Sequence, residues 1–572
     1  MCGIAGVLGA DTRRVAGMVE RLRHRGPDGT HVVRGGRSTL GCARLAIRGG
    51  DAGAQPLRTA RGHLVFNGEI YNSEELVKEL AWHGVVVDGA SDTVIAGALL
   101  DHYGIEAVDR FNGMYALGWD DGASVWLARD PAGIKPLYHT RDAFASEIRP
   151  LLGASRAVDD EAMARWLAFH MSGGHQDQTL FSGVRRVPAG GVVELCSDAV
   201  SARPNAYAFG QPNPALDAVL VRKILERAVR DAVPGERFGV CLSGGVDSTL
   251  VAALADGDRV AYHGRVDAPG CDESPYARAA AAALGLELVV VDITADACLE
   301  ALPRVLRALE EPVAGPGSIA QFLVAERAAA DVRVLFSGCG GDELFGGYAR
   351  AAALVRDDPP SGLEHYAPLF ERVRGLDAEQ RMFALFDRRP RGVFAADFLE
   401  VHSPERFAFA PGVGARPSTL HPLAEMARWE TQVTLPALLQ VEDRITMAHG
   451  IEGRVPLLDR RLLRCAGRLA PEHRIGADGR LKALFRAAAA PHLPEAVRAR
   501  TDKMGFPLPL ADWFAGPWRA FTRDVLLDRR TRERGMIDPA GVAAALDRRD
   551  RYDRGLYCAL ALELWFRTFL DE

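Results

Sequence analysis

Nine cysteines are scattered over 572 residues, none of them in a CxxC pair, and their number is odd. That pattern argues against a zinc site or a disulfide framework and fits a reducing, cytoplasmic setting. No signal peptide and no run of 18 apolar residues is present, so neither secretion nor a membrane span is expected. An excess of basic charge is missing too. Lys plus Arg number 69 against 75 Asp plus Glu, and a net charge of −6 gives no reason to expect nucleic acid or an anionic membrane as partner. The clusters RLRHRG (21–26) and DRRTRERG (528–535) are interleaved with acids or lie in helical context, and read as solvated faces. Repeats and low-complexity tracts are also absent. What remains is a globular composition, 48% hydrophobic and 25% charged, on a chain too long for one core.

Up to about residue 200, short apolar runs are broken by Gly, Asn and Asp, as in GHLVFNGEIYN (62–72), NGMYALGWDD (112–121), SVWLARDPAGIKPLYHT (124–140) and GVVELCSD (191–198). They predict packed sheets joined by tight turns, with helices over 16–26 and 73–84. The stretch SARPNAYAFGQPNPALDA (201–218) lacks periodicity and predicts a linker. Beyond it, helices over 215–233, 246–255, 273–285 and 297–310 alternate with strands over 237–245, 258–266, 286–293 and 332–338. Such alternation predicts a parallel sheet covered on both faces, and from about 360 onward the chain reads as helices.

The chain opens MCGIAG. Removal of Met1 would give residue 2 both a thiol, ordinarily of pKa about 8.5, and an α-amine of about 7.7–8.0. An amine in that range can act as general base for its own nucleophile. Alternatively, Cys2 simply begins a buried strand, CGIAGVLG, as a small hydrophobe. Further on, CLSGGVDSTL (241–250) stands where a buried strand runs into a helix. Backbone amides and hydroxyls of Ser243, Gly244, Gly245 and Ser248 would make an anion site there, without the spacing or lysine of a P-loop. Asp247 inside a phosphate loop needs a bridging cation, which implies Mg²⁺. A second strand end, VLFSGCGGDELFGGY (334–348), again brings Ser-Gly with acids close behind, Asp342 and Glu343. Two such turns are what a nucleoside triphosphate with magnesium needs.

Together these segments resemble a known family. MCGIAG, HRGPDG (24–29), RLAI (44–47), GAQPL (53–57), FNGEIYN (66–72) and RDPAGIKPLY (129–138) resemble a class II glutamine amidotransferase domain. SGGVDS (243–248), SGCGGDELFGGY (337–348), EDRITMAHGIEGRVPLLD (442–459) and KMGFPLPLADWF (503–514) resemble the synthetase domain of glutamine-hydrolysing asparagine synthetases. The resemblance implies an α+β N-terminal nucleophile (Ntn) sandwich over 1–205. An α/β PP-loop ATP pyrophosphatase-like domain with a helical C-terminal part would follow over 206–572. It implies Cys2 as the nucleophile on the glutamine side-chain amide, Asn67 and Gly68 as oxyanion hole, Arg44 on the substrate α-carboxylate, and Glu69 and Asp92 on its α-amine. In the second domain it implies Ser243, Gly244, Gly245, Asp247, Ser248 and Ser337 around pyrophosphate and Leu242, Val266 and Gly338 around adenosine. Asp247 and Asp342 would hold Mg²⁺, and Lys503 would offset charge at the reacting phosphate. The substrates would be glutamine, ATP and a carboxylic acid, with ammonia passed internally between the sites. Similar enzymes are often dimers. A retained Met1 would block the α-amine and predict an inactive glutaminase.

One position departs from that pattern. Cys339 stands where asparagine-forming members commonly carry Glu or Asp, an acid thought to help deprotonate the incoming amine. Three readings are open: Cys339 fills space and makes room for a different acid, another group takes the proton from ammonia, or Cys339 forms an acyl-thioester. GLELVVV (285–291) and EEPVAGPG (310–317) are further departures that point towards an altered acid pocket. Aspartate is the first expectation. Rival readings are a tailoring amidotransferase acting on another acid, an ATP-dependent cyclase, and a non-catalytic nucleotide- or glutamine-binding protein. The apparently complete set of Cys2, Arg44, Asn67, Gly68 and Asp92 argues against the last two.

Overall fold

The computed structural model describes the chain apart from residues 48–49, 88–90, 154–155, 171–176, 196–199, 203–208, 314, 391, 404–405, 407–419, 502–507, 549–553 and 572. The first half is a sandwich of two antiparallel six-stranded sheets. In one, the strand Cys2–Leu8, buried as far as Val7, lies between Ser38–Arg44 and Ala143–Ala145. In the other, His63–Ile70 pairs along its whole length with Gly113–Asp120. Phe144 shows why glycines recur in these strands. Its ring is fully buried, and a Cβ on Gly6 of one sheet or on Gly118 of the other would lie 2.4 Å from it. The sheets pack closely because both positions lack a side chain.

The second half is built on a five-stranded, wholly parallel sheet in the order Leu288–Asp292, Arg259–Arg265, Phe238–Cys241, Val334–Phe336, Glu452–Arg454. One face packs on the helices Ala218–Ala232 and Val246–Leu254, the other on Ala295–Leu309, Gly317–Ala328 and Leu435–Ala448. The last strand corrects the reading of everything beyond about 360 as helix. Three residues, EGR, are too few to carry a period of two. The linker is also shorter than expected, since the strand Val200–Ala202 still pairs with Gly191–Glu194. The boundary after residue 205 falls outside the described residues. The helix Asp92–Tyr103 was not anticipated either, because it is apolar nearly all round and shows no helical stripe. Among the described residues no helix is long and apolar enough to cross a membrane.

The two halves meet through buried charge. Glu147 accepts from Arg25 at 3.0 Å and pairs with Arg444 at 2.8 Å, while Asp443 pairs with Arg25 at 2.9 Å and Lys135 at 3.4 Å. Glu310 binds Arg444 at 2.8 Å and accepts from the Ile148 and Arg149 amides at 2.6 and 2.7 Å. Glu311 binds Arg186 at 2.9 Å. All these side chains are at most 4% exposed. Glu310 and Glu311 of EEPVAGPG therefore serve the junction between the halves.

Candidate active sites

Strand pairing assembles the first site. Cys2 lies opposite Arg44, and the adjoining sheet brings up Asn67, Gly68 and Glu69. Cys2, Arg44, Gly68, Glu69 and Asp92 line one cavity of about 360 Å³, together with Met1, Gln55 and Thr93. Asn67 Oδ1 accepts from the Cys2 amide at 3.0 Å, and its Nδ2 is buried with no partner among the described residues. Gly68 cannot be anything larger, since a Cβ would lie 2.0 Å from the Met114 carbonyl oxygen. The Cys2 thiol is pulled down to about 6. A hydrogen bond from Cys42 outweighs the effect of burial, aided by the terminal ammonium, the Leu45 backbone and Arg44. The same hydrogen bond, with burial, pushes the Cys42 thiol up. Cys42 sits on the next strand, on the same face as Cys2, at the register position of Ile4.

Gln55, quoted above only as part of GAQPL, closes this site from below. Its Oε1 accepts from the Phe66 amide at 2.6 Å, and its Nε2 donates to the Phe66 carbonyl at 2.9 Å and to Thr93 Oγ1 at 3.1 Å. The same Nε2 lies 3.6 Å from Cys2 Sγ, so one amide ties the nucleophile to the strand that carries Asn67. Asp28 of HRGPDG accepts from the Ala46 amide at 2.7 Å and fixes the turn after Arg44.

The second site lies at the carboxyl ends of the parallel strands, where open α/β sheets bind ligands. Leu242 follows one strand, Val266 the next, and Ser337 with Gly338 a third. Ser243 and Ser248 hydroxyls lie 3.1 Å apart, Ser248 Oγ accepts from the Ser243 amide at 3.2 Å, and Gly245 caps the helix Val246–Leu254. Gly244 turns with φ +69°, and a Cβ there would lie 2.5 Å from Tyr276. Arg500 stacks on Tyr276, its Cζ 3.8 Å from the ring centroid, and reaches the Ser243 and Gly244 carbonyls at 3.4 Å.

Asp247 and Asp342 converge on one point. Lys482 Nζ donates to both Asp247 oxygens at 2.7 Å and lies 2.5 Å from Asp342 Oδ1. Glycines permit that approach, for a Cβ on Gly341 would sit 2.1 Å from Asp247 Oδ1 and one on Gly347 1.8 Å from Asp342 Oδ1. Two carboxylates meeting at a cation suit Mg²⁺, which keeps few protein ligands and takes the rest from phosphate and water. Among the described residues no group of three His, Cys, Asp or Glu side chains could hold a metal. Lys482 and Arg500 were both missed in the sequence, because RLKALFR and VRART carry no phosphate-loop spacing. Lys503 lies outside the described residues.

The family comparison agrees with this two-site layout. An asparagine synthase model matches residues 220–567 and a glutamine amidotransferase domain model residues 1–207. The chain belongs to the asparagine synthetase family. Bacillus subtilis asparagine synthetase [glutamine-hydrolyzing] 1 is 30% identical over 93% of this chain and 90% of its own length. A Mycobacterium tuberculosis protein provisionally named for the same activity is 32% identical over 100% of this chain and 96% of its own. Asparagine synthetase 2 of B. subtilis is 26% identical over 81% and 66%. This asparagine synthetase-family protein is thus a glutamine-hydrolysing, ATP-dependent ligase, with a two-sheet glutamine amidotransferase sandwich followed by a parallel-sheet α/β domain.

Cys339, in the turn after the strand Val334–Phe336, lies among acidic side chains. Its backbone amide donates to Ser337 Oγ at 3.3 Å, and burial together with Glu343, Glu442 and Asp342 pushes its thiol well up. Burial raises the Glu442 carboxyl too, against a hydrogen bond from Ser337 and the charge of Lys135. Glu343 is pushed up to about 7 by burial and by Asp342, and Tyr348 donates to it. Beside it, Leu423, Met426 and Ala427 wall a cavity of about 250 Å³.

Proposed function

We propose that the chain converts aspartate, ATP and glutamine into asparagine, AMP, pyrophosphate and glutamate. The observation that carries this is the convergence of Cys2, Arg44, Gly68, Glu69 and Asp92 on one cavity. With Met1 removed, the Cys2 thiolate attacks the side-chain amide carbon of glutamine and ammonia leaves, protonated through the α-amine. Water then cleaves the thioester. Asn67 Nδ2 and the Gly68 amide stabilise the tetrahedral oxygen, which accounts for a buried donor lacking a protein partner. Arg44 holds the α-carboxylate, and Glu69 and Asp92 hold the α-amine.

At the second site a substrate carboxylate attacks the α-phosphorus of ATP and pyrophosphate leaves. Leu242, Val266 and Gly338 line the adenosine, and Ser243, Gly244, Gly245, Ser248 and Ser337 hold pyrophosphate. Asp247 and Asp342 would hold Mg²⁺, which supplies charge neutralisation when bound. Lys482 adds a cation at the same point, and the resemblance supplies Lys503 as a further one. Ammonia displaces AMP. Burial and acidic neighbours push the Cys339 thiol up and make it a poor acceptor, and Glu442, one of those neighbours, is assigned the proton from ammonia. The apolar wall of Leu423, Met426 and Ala427 favours a second reading, in which the acid is bulkier than aspartate.

Acid-dependent exchange of labelled pyrophosphate into ATP, run over a panel of carboxylic acids, tests both. Exchange with aspartate supports the first reading. Exchange with a larger acid and none with aspartate replaces it with the second.

A further inference from the structure

The glutamine cavity is bordered by side chains of the synthetase half. Arg454, on the strand Glu452–Arg454, places Nη2 3.2 Å from Glu69 Oε1, with both side chains at most 4% exposed. Its Nε and Nη1 are committed. Nε lies 2.5 Å from Glu452 Oε1, and Nη1 donates to the Ala232 carbonyl at 2.5 Å. Glu452 is itself fully buried, and its Oε2 lies 3.5 Å from the Met1 ammonium, one residue from the nucleophile. Lys135 Nζ donates to the Gly453 carbonyl at 3.3 Å. Residues 452 and 454 share one face of their strand, so alternation alone aims both side chains at the first site. The backbone of the same strand serves the second site, since the Ser337 amide donates to the Arg454 carbonyl at 3.0 Å.

We propose that Arg454 is a positioning residue of the glutaminase, orienting the Glu69 carboxylate towards the α-ammonium of glutamine, so that the amide-hydrolysing site is completed by the synthetase sheet. This rests on the reading of Glu69 as an amine clamp. A guanidinium suits the task because its planar fork donates to Glu452 and to a carbonyl while fixing a positive charge beside Glu69. An ammonium could not do all three.

The experiment compares the full-length enzyme's hydrolysis of glutamine with that of glutaramate, the same side-chain amide and carboxylate without the α-amine. The wild type is expected to favour glutamine by a large factor. Arg454→Met should lower kcat/KM for glutamine on the order of 10-fold or more, mainly through KM, while changing glutaramate hydrolysis less than about 3-fold. Arg454→Lys should restore part of the discrimination. A purely structural role lowers both substrates together, and that result would overturn the proposal. Should Arg454→Met fail to fold, Glu452→Gln loosens the guanidinium without touching Glu69. It must then erode the same discrimination, and unchanged discrimination there is equally fatal. A wild type that cannot tell the two substrates apart sinks the amine-clamp reading itself. Discrimination that survives in the variants sinks only the role of Arg454.

Discussion

The ammonium of Lys482 lies between the carboxylates of Asp247 and Asp342, 235 residues along the chain from the first of them. Lys482→Met would leave two buried or half-buried carboxylates facing each other and remove a cation from the phosphate site. ATP–pyrophosphate exchange should fall by about two orders of magnitude, the scale of losing one electrostatic contact to a transition state. Glutamine hydrolysis should stay within about 2-fold, because no contact of Lys482 reaches the first site. Equal loss of both activities would count against this assignment.

Cys42 should tune the nucleophile. The Cys2 thiol at about 6 makes alkylation by iodoacetamide rise with pH and level off above roughly neutral pH. Cys42→Ala removes the hydrogen bond that lowers it, so the midpoint should move to higher pH by around one unit, equivalent to about 1.4 kcal/mol. Cys42→Ser should recover part of the shift. Superimposable profiles for wild type and alanine variant would exclude the contact.

Removal of the Asn67 amide nitrogen should act on the chemical step. Asn67→Asp is expected to lower the glutaminase kcat by about 10²–10³-fold with little change in KM, as for other oxyanion donors. Ammonia-dependent synthesis, measured in the same preparation, should persist.

Glu442→Gln separates the two halves of the second reaction. Pyrophosphate exchange should remain near wild type, whereas amide formation from ammonia should drop by about 10²-fold, the usual scale for a lost general base. A parallel fall in exchange would move Glu442 from proton transfer to substrate binding.

The junction between the halves makes a prediction about stability. Burial raises the Glu147 carboxyl, but His24, Arg444 and Arg25 outweigh it and hold it well below the carboxylate range. A depressed folded-state value means stability that is fully present above the unfolded value of about 4.3 and is lost as pH falls below it. Thermal scans should therefore show a Tm that is flat above about pH 5 and declines steeply beneath it. Arg25→Met, which takes one cation from Glu147 and Asp443 but leaves Arg444 and Lys135 in place, should cost about 1–3 kcal/mol at neutral pH.

Most of the first site could be read from the sequence because its residues sit inside contiguous motifs. NGE supplies Asn67, Gly68 and Glu69 in successive positions of one strand, and RLAI supplies Arg44. Four of the five strands of the parallel sheet were equally legible, since strands and helices alternate from 215 to about 310. Lys482, Arg500, Cys42 and Arg454 were not. Each acts by reaching across from another strand or segment, and nothing local distinguishes such a side chain from a solvated one. The junction role of Glu310 and Glu311 was hidden for the same reason. Their partners, Arg444 and Arg186, lie more than a hundred residues away.

The charges buried at the junction also bear on how such enzymes can be recombined. A glutaminase half severed near residue 205 would present Arg25, Lys135, Glu147 and Arg186 to water, stripped of the partners that the synthetase half supplies. A chimaera joining it to a relative's synthetase would bury them again, now against mismatched neighbours, unless Glu310, Glu311, Asp443 and Arg444 travelled as a set. Recombination between relatives is thus more readily achieved by changing residues within one half than by transplanting whole halves.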